Sequence, residues 1–72
     1  MDKYIILNKR KHKKNILILL KERNGKRTFK NHRTEIWQND KLQISFDRTI
    51  IRILILNSQD IPYYKNLILK GE

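Results

Sequence analysis

The sequence predicts a mainly β, α+β fold: five short antiparallel strands, with a short helix inserted between the second and third strands. Three stretches carry that prediction. Leu42-Gln43-Ile44-Ser45-Phe46 alternates strictly between apolar and polar residues, the pattern of a half-buried strand. Ile50 to Leu56 is apolar except for Arg52, is rich in β-branched residues, and ends at the polar turn formers Asn57, Ser58, Gln59 and Asp60. Ile61-Pro62 then begins a second extended piece, because the residue before proline is pushed out of the helical region. Proline donates no ladder hydrogen bond, so this piece is expected at a sheet edge.

The remaining elements follow in chain order. Tyr4 to Lys9 reads as the first strand, and Asn15 to Leu20 as the second. Between them Arg10, Lys11, His12, Lys13 and Lys14 form a cationic hairpin loop whose like charges repel. Asn24-Gly25 is a turn signal. Beyond it, Thr28 half-fits a capping box for a short helix to about Gln38. Phe29, His32 and Ile36, with Trp37 at their margin, share one face of that helix, with Lys30, Arg33 and Thr34 opposite. Asp47-Arg48-Thr49 joins the two strands that follow into an antiparallel hairpin. Tyr63, Tyr64 and Lys65 lie on the edge strand. Between Asn66 and Glu72 the signal does not choose between more strand and a helical turn. One domain, residues 1–72, accounts for the whole chain.

Composition narrows the function. The chain has 72 residues, with twelve Ile and nine Leu but neither Val nor Ala. A chain this short buries only about 60% of its unfolded surface. So many bulky side chains therefore predict an oligomer, a two-fold homodimer being the commonest form. Absence of cysteine rules out disulfides and thiolate metal sites. His12 and His32 are far apart and lack a ligand companion, so no metal or other cofactor is expected. The apolar runs are too short to span a membrane. Met1-Asp2-Lys3 opens no signal peptide, which favours a cytoplasmic home. Charge is the stronger clue. Residues 1–33 hold twelve Lys/Arg and two acids, whereas residues 34–72 hold five of each. All of the net +10 thus lies in the first half. An anionic partner is implied, with nucleic acid the first candidate. A membrane surface is the weakest, because the cations do not line one face of an amphipathic helix.

A family resemblance sharpens this. Ile51-Arg52-Ile53-Leu54-Ile55, followed by Gln59-Asp60-Ile61-Pro62 and Lys65, resembles the signature of the carbon storage regulator (CsrA/RsmA) family of translational repressors. There a Val-Arg-Leu-Gly-Ile strand leads through a short turn to Ile-Pro-Val-His-Arg. Leu7-Asn8-Lys9-Arg10 is similar to the family's opening Leu-(Ser/Thr)-Arg-Lys/Arg, and Asn15 to Leu19 to its second strand. About twenty residues, roughly 21–40, separate the second and third strands, as in the RsmN-type branch, where a helix is inserted. The chain also departs from the pattern. Leu54 stands for the family glycine, Asn57-Ser58 for Ala-Pro, Tyr63-Tyr64-Lys65 for Val-His-Arg, and Lys9 for the first-strand arginine. Lysine cannot reproduce arginine's bidentate fork.

The resemblance implies a strand-interlocked homodimer, with the first strand of one subunit beside the last strand of the other. Leu7, Lys9 and Arg10 would then meet the partner's Tyr63, Tyr64 and Lys65, and Lys11, Lys13 and Lys14 would add phosphate contacts. Such a seam suits unpaired GGA-type loops of mRNA leaders or small RNAs, since rings stack on bases and cations bind phosphates. Control of translation or mRNA stability would come from competition with the ribosome, without catalysis. On a strand Tyr63 and Tyr64 face opposite ways, so one belongs to the core or interface and the other to the platform; the sequence does not say which. Arg52 in an apolar strand calls for a carboxylate partner such as Asp47 or Asp60, or for a place in the interface, rather than for contact with RNA. Trp37 reads as a packing residue. Two other classes compete: an antagonist that binds and disables a regulatory protein, and a small basic ribonuclease drafting His12, His32, Arg33 and Tyr64.

Overall fold

The alternating stretch and the apolar run form the centre of the molecule. In the computed structural model, which describes residues 3–69, Leu42–Phe46 (β4) and Ile50–Ile55 (β5) pair as an antiparallel hairpin. Leu42, Ile44 and Phe46 of β4 and Ile51, Ile53 and Ile55 of β5 all point to one face and are fully buried or nearly so. The intervening residues, Gln43, Ser45, Arg52 and Leu54, point to the other face. Tyr4–Asn8 (β1) pairs antiparallel with the free side of β5 and adds Ile5 and Leu7 to the same core. On the far side of β4 come Glu35–Gln38 (β3) and Lys26–Lys30 (β2), giving a five-stranded antiparallel sheet in the order β1-β5-β4-β3-β2.

The expected second strand and its cationic hairpin loop are instead one helix, Lys9–Glu22 (α1), which directly follows β1. Asn8 caps it: its side-chain oxygen accepts from Lys11 N at 3.3 Å. His12, Ile16 and Leu20, four residues apart, form the buried stripe. The cations that looked like a loop tip are helix formers on the wetted side of its first turns. Asn24-Gly25 ends this helix and does not make a hairpin. Asn24 adopts φ 58° and Gly25 N donates to Leu20 O at 2.7 Å, the bond that closes a Schellman cap.

The helix expected from Thr28 to Gln38 is replaced by the β2–β3 hairpin. Asn31 decides this. Its side-chain oxygen accepts from Arg33 N and Thr34 N at 2.8 and 2.7 Å, turning the chain where a helix would have to continue. Asn39 repeats the device between β3 and β4, accepting from Lys41 N and Leu42 N. A helix therefore lies after β1, and none lies in the segment 21–40 beyond the end of α1.

The expected C-terminal edge strand is also helical. A 3₁₀ turn at Ser58–Asp60, capped by Asn57, runs into Ile61–Leu69 (α2). Pro62 occupies the first turn of α2, where no N–H is required. Ile61, Tyr64 and Ile68 face the core, placing both helices on one side of the sheet. A seam between β1 and a last strand at 61–65 is therefore not formed. Of the uncertain C-terminal stretch, Asn66 to Leu69 belongs to α2; Lys70 to Glu72, like Met1 and Asp2, lie outside the described residues. Trp37 packs against the core as expected. Arg52 takes the predicted carboxylate, with Nε 3.8 Å from Asp47 Oδ2, but it does so on the open, wetted face of the sheet. No helix among the described residues is long and apolar enough to cross a membrane.

Candidate nucleic-acid interface

One end of the sheet gathers positive charge. The antiparallel order puts the end of β1, the β2–β3 turn and the β4–β5 turn at the same pole. Each contributes cations to a shallow cleft. Lys9 and Lys13 come from the first turns of α1, Lys30 from the end of β2, Arg33 from the β2–β3 turn and Arg48 from the β4–β5 turn. His32 lies among them, and Glu35 supplies the opposing carboxylate while accepting a hydrogen bond from Trp37 Nε1.

The local chemistry of each turn explains the gathering. Asn31 pins Arg33 in place through the bond from the Arg33 amide. Asp47 N donates to Ile50 O at 2.9 Å, closing the tight turn that projects Arg48. Lys9 N donates to Thr49 O at 3.0 Å, which fixes the start of α1 against that same turn. The four-residue spacing of Lys9 and Lys13 stacks them on one side of α1.

These charges lack the neutralisation found elsewhere. Among the described residues, ion pairs join Arg23 to Glu22, Lys41 to Asp60 and Arg52 to Asp47; none reaches the five cleft cations. The beginning of α1 deepens the imbalance. Its first turn holds no acid, and cations at a helix N-terminus oppose the macrodipole at a cost of about 0.3–1 kcal/mol each. The sequence KRKHKK is thus placed where helix stability disfavours it, and an anion in the cleft would relieve the strain on both counts.

The sequence-predicted site residues divide into separate places. Lys9 and Lys13 line the cleft. Arg10 and Lys14 are exposed on the neighbouring stripe of α1, and Lys11 is exposed further round. Leu7 is a core residue, 4% exposed. Tyr64 is buried and Tyr63 exposed, which answers which ring is available, although the two are successive helix residues with rings meeting edge-on at 5.0 Å. Tyr63 Oη accepts from Arg23 Nη2 at 3.2 Å, just past the C-terminus of α1, and Lys65 lies half-buried on the same helix α2. The fourteen residues of α1 separate that end from Lys9 by about 20 Å. Within one chain the two halves of the predicted site are therefore not brought together. Lys30, His32, Arg33 and Arg48 join the cleft although none was placed in the RNA site, His32 and Arg33 having been weighed only for a ribonuclease. The charge count already held three of them, but only the turn positions reveal that they converge.

No family model, curated protein or solved structure matches this chain.

Proposed function

We propose that this protein binds RNA through the basic cleft and acts as a regulator by occupying its target, without altering a covalent bond. The observation that carries this reading is the convergence on one pole of the sheet of five cations, none of them in an ion pair among the described residues, from three segments: the start of α1, the β2–β3 hairpin and the β4–β5 turn. A merely soluble basic surface would scatter its charge; this one concentrates it where three backbone segments hold the side chains in place. Neutralising several phosphates supplies most of the sequence-independent affinity of such a protein. The resemblance of Ile51–Ile55 and Leu7–Arg10 to carbon storage regulators supports mRNA leaders or small RNAs as the target and unpaired GGA-type loops as the preferred motif. A homodimer, which the resemblance also suggests, would have to carry its two sites elsewhere than at an exchanged-strand seam, since residues 61–69 are helical; two clefts in one dimer could then engage one leader bivalently. A controlling protein partner belongs to the same reading.

The decisive measurement is a mobility-shift titration of labelled RNA at several salt concentrations. Binding should weaken steeply with salt, and Lys9→Glu with Arg48→Glu should abolish the shift. A wild-type affinity indifferent to salt would end the proposal. One observation favours a second reading. His32 sits in the cleft beside Arg33 and Lys9, which is where a ribonuclease would need an acid–base group and charge stabilisation. His12 and Tyr64 are buried and drop out of that scheme. RNA recovered intact from the shifted band excludes cleavage, whereas cleavage lost in His32→Ala would favour it.

A further inference from the structure

The face of the sheet turned away from α1 and α2 is composed in two rows. Cross-strand register places Ile6, Arg52, Ser45, Ile36 and Phe29 side by side across all five strands. A second row runs Tyr4, Leu54, Gln43, Gln38 and Lys26. Each row spans about 19 Å at the usual strand separation. Ile6 is 63% exposed, Tyr4 52% and Phe29 49%. The arrangement interleaves rings and aliphatic side chains with amides, a hydroxyl and two cations. A surface meant only for water would not expose Ile6 and Phe29 on the same face with the half-buried Ile36 and Leu54 beside them.

We infer that this open face is a stacking platform for the unpaired bases of a single strand whose phosphates run into the basic cleft. The inference rests on the RNA-binding reading above and adds a second, chemically different surface to it. Three features favour a nucleic acid here over a second copy of the chain. Arg52 stands in the middle of the patch, its side chain 58% exposed, with Asp47 only at 3.8 Å to one side. Two such faces pressed together would enclose both Arg52 side chains in one interface between chains each carrying +10. Bases, by contrast, offer flat faces to Phe29 and Ile6 and hydrogen-bonding edges to Gln43 and Gln38. Finally, the turns bearing Arg33 and Arg48 form the rim common to the cleft and this face, so one strand can reach both.

The test uses the full chain, with a fluorescein-labelled twelve-nucleotide oligouridylate and a blunt RNA duplex as probes. Phe29→Ala should weaken the single strand by about five- to a hundredfold. It should leave the duplex affinity and the salt slope unchanged, because no phosphate contact is lost. Phe29→Tyr should restore binding, which separates loss of the ring from loss of the fold. Ile6→Asp, at the most exposed of the apolar positions, should also weaken the single strand and needs no change in the core. Unchanged single-strand affinity in both Phe29→Ala and Ile6→Asp, with a normal salt slope, overturns the platform while leaving the cleft standing. Equal weakening of strand and duplex overturns it too. So does a wild-type dimer in sedimentation that Ile6→Asp dissociates, since the face would then belong to a second copy. Failure of the wild type to bind either probe would sink the RNA reading itself, and the platform with it.

Discussion

At the scale of single residues, the cleft cations are not interchangeable with the other basic residues of the chain. Arg33 and Arg48 are held by turns whose backbone bonds fix their direction, and their planar forks can grip a phosphate bidentately. Lys11, two residues beyond Lys9, is exposed on another side of α1. Arg33→Ala and Arg48→Ala should therefore each lower the slope of log affinity against log salt by about 0.7–0.9, the share of one phosphate contact. Lys11→Ala should leave that slope nearly unchanged, and an equal drop for all three would mean that net charge alone matters. Gly25 supplies a prediction of a different kind. A Cβ there would lie 2.6 Å from Leu20 Cδ2 and 3.1 Å from Leu20 O. Leu20 is 1% exposed and has no room to withdraw. Gly25→Ala should destabilise the fold by about 1–3 kcal/mol, visible as a lower urea midpoint.

At the scale of elements, the sequence was most legible where one face of a strand is buried and the other is wet. The alternation from Leu42 to Phe46 and the hairpin after it are present as read, and the run read from Ile50 to Leu56 is a strand as far as Ile55. It was least legible where a short apolar run carries two periods at once. Ile16-Leu17-Ile18-Leu19-Leu20 suits a strand, but together with His12 it also sets a stripe at four-residue spacing, and the helix prevails because Asn8 caps it and lysines extend it. Asn31 and Asn39 set turns through side-chain bonds that no hydrophobic pattern announces. Pro62 was taken as a strand opener, yet a helix accepts it in its first turn. The candidate site was half legible for the same reason: Lys9 and Lys13 were foreseen, while Arg48 and Arg33 depend on which turns meet. The two readings of residues 16–20 make opposite demands on mutation. On a strand, Ile16, Ile18 and Leu20 would share a face and matter alike. In α1 Ile18 is 47% exposed, whereas Ile16 and Leu20 are buried. Ile16→Ala and Leu20→Ala should each cost about 2–5 kcal/mol in chemical denaturation. Ile18→Ala should stay within about 0.5 kcal/mol.

At the scale of the whole molecule, stability and binding draw on the same charges in opposite directions. The net charge of +10 is confined to a body with a Cα radius of gyration of 11.3 Å. That radius is close to the Debye length of about 10 Å at 0.1 M salt, so at low salt every cation feels the others across the chain. The repulsion is concentrated at the cleft, where among the described residues five cations and one carboxylate form the lining and Lys9 opens a helix against its dipole. Removing cleft charge should consequently strengthen the free protein. Lys13→Gln combined with Arg48→Gln is expected to unfold at a higher temperature than the wild type in 10 mM salt, by several degrees for each kcal/mol of repulsion relieved. The gap should close by 1 M salt, where the Debye length falls to about 3 Å. The same double variant should bind RNA more weakly at every salt concentration. Thermal unfolding and RNA titration across one salt series measure both effects on the same samples. A double variant less stable than the wild type at low salt would show that these cations hold the fold together, and a cleft built to receive an anion would then have no electrostatic basis.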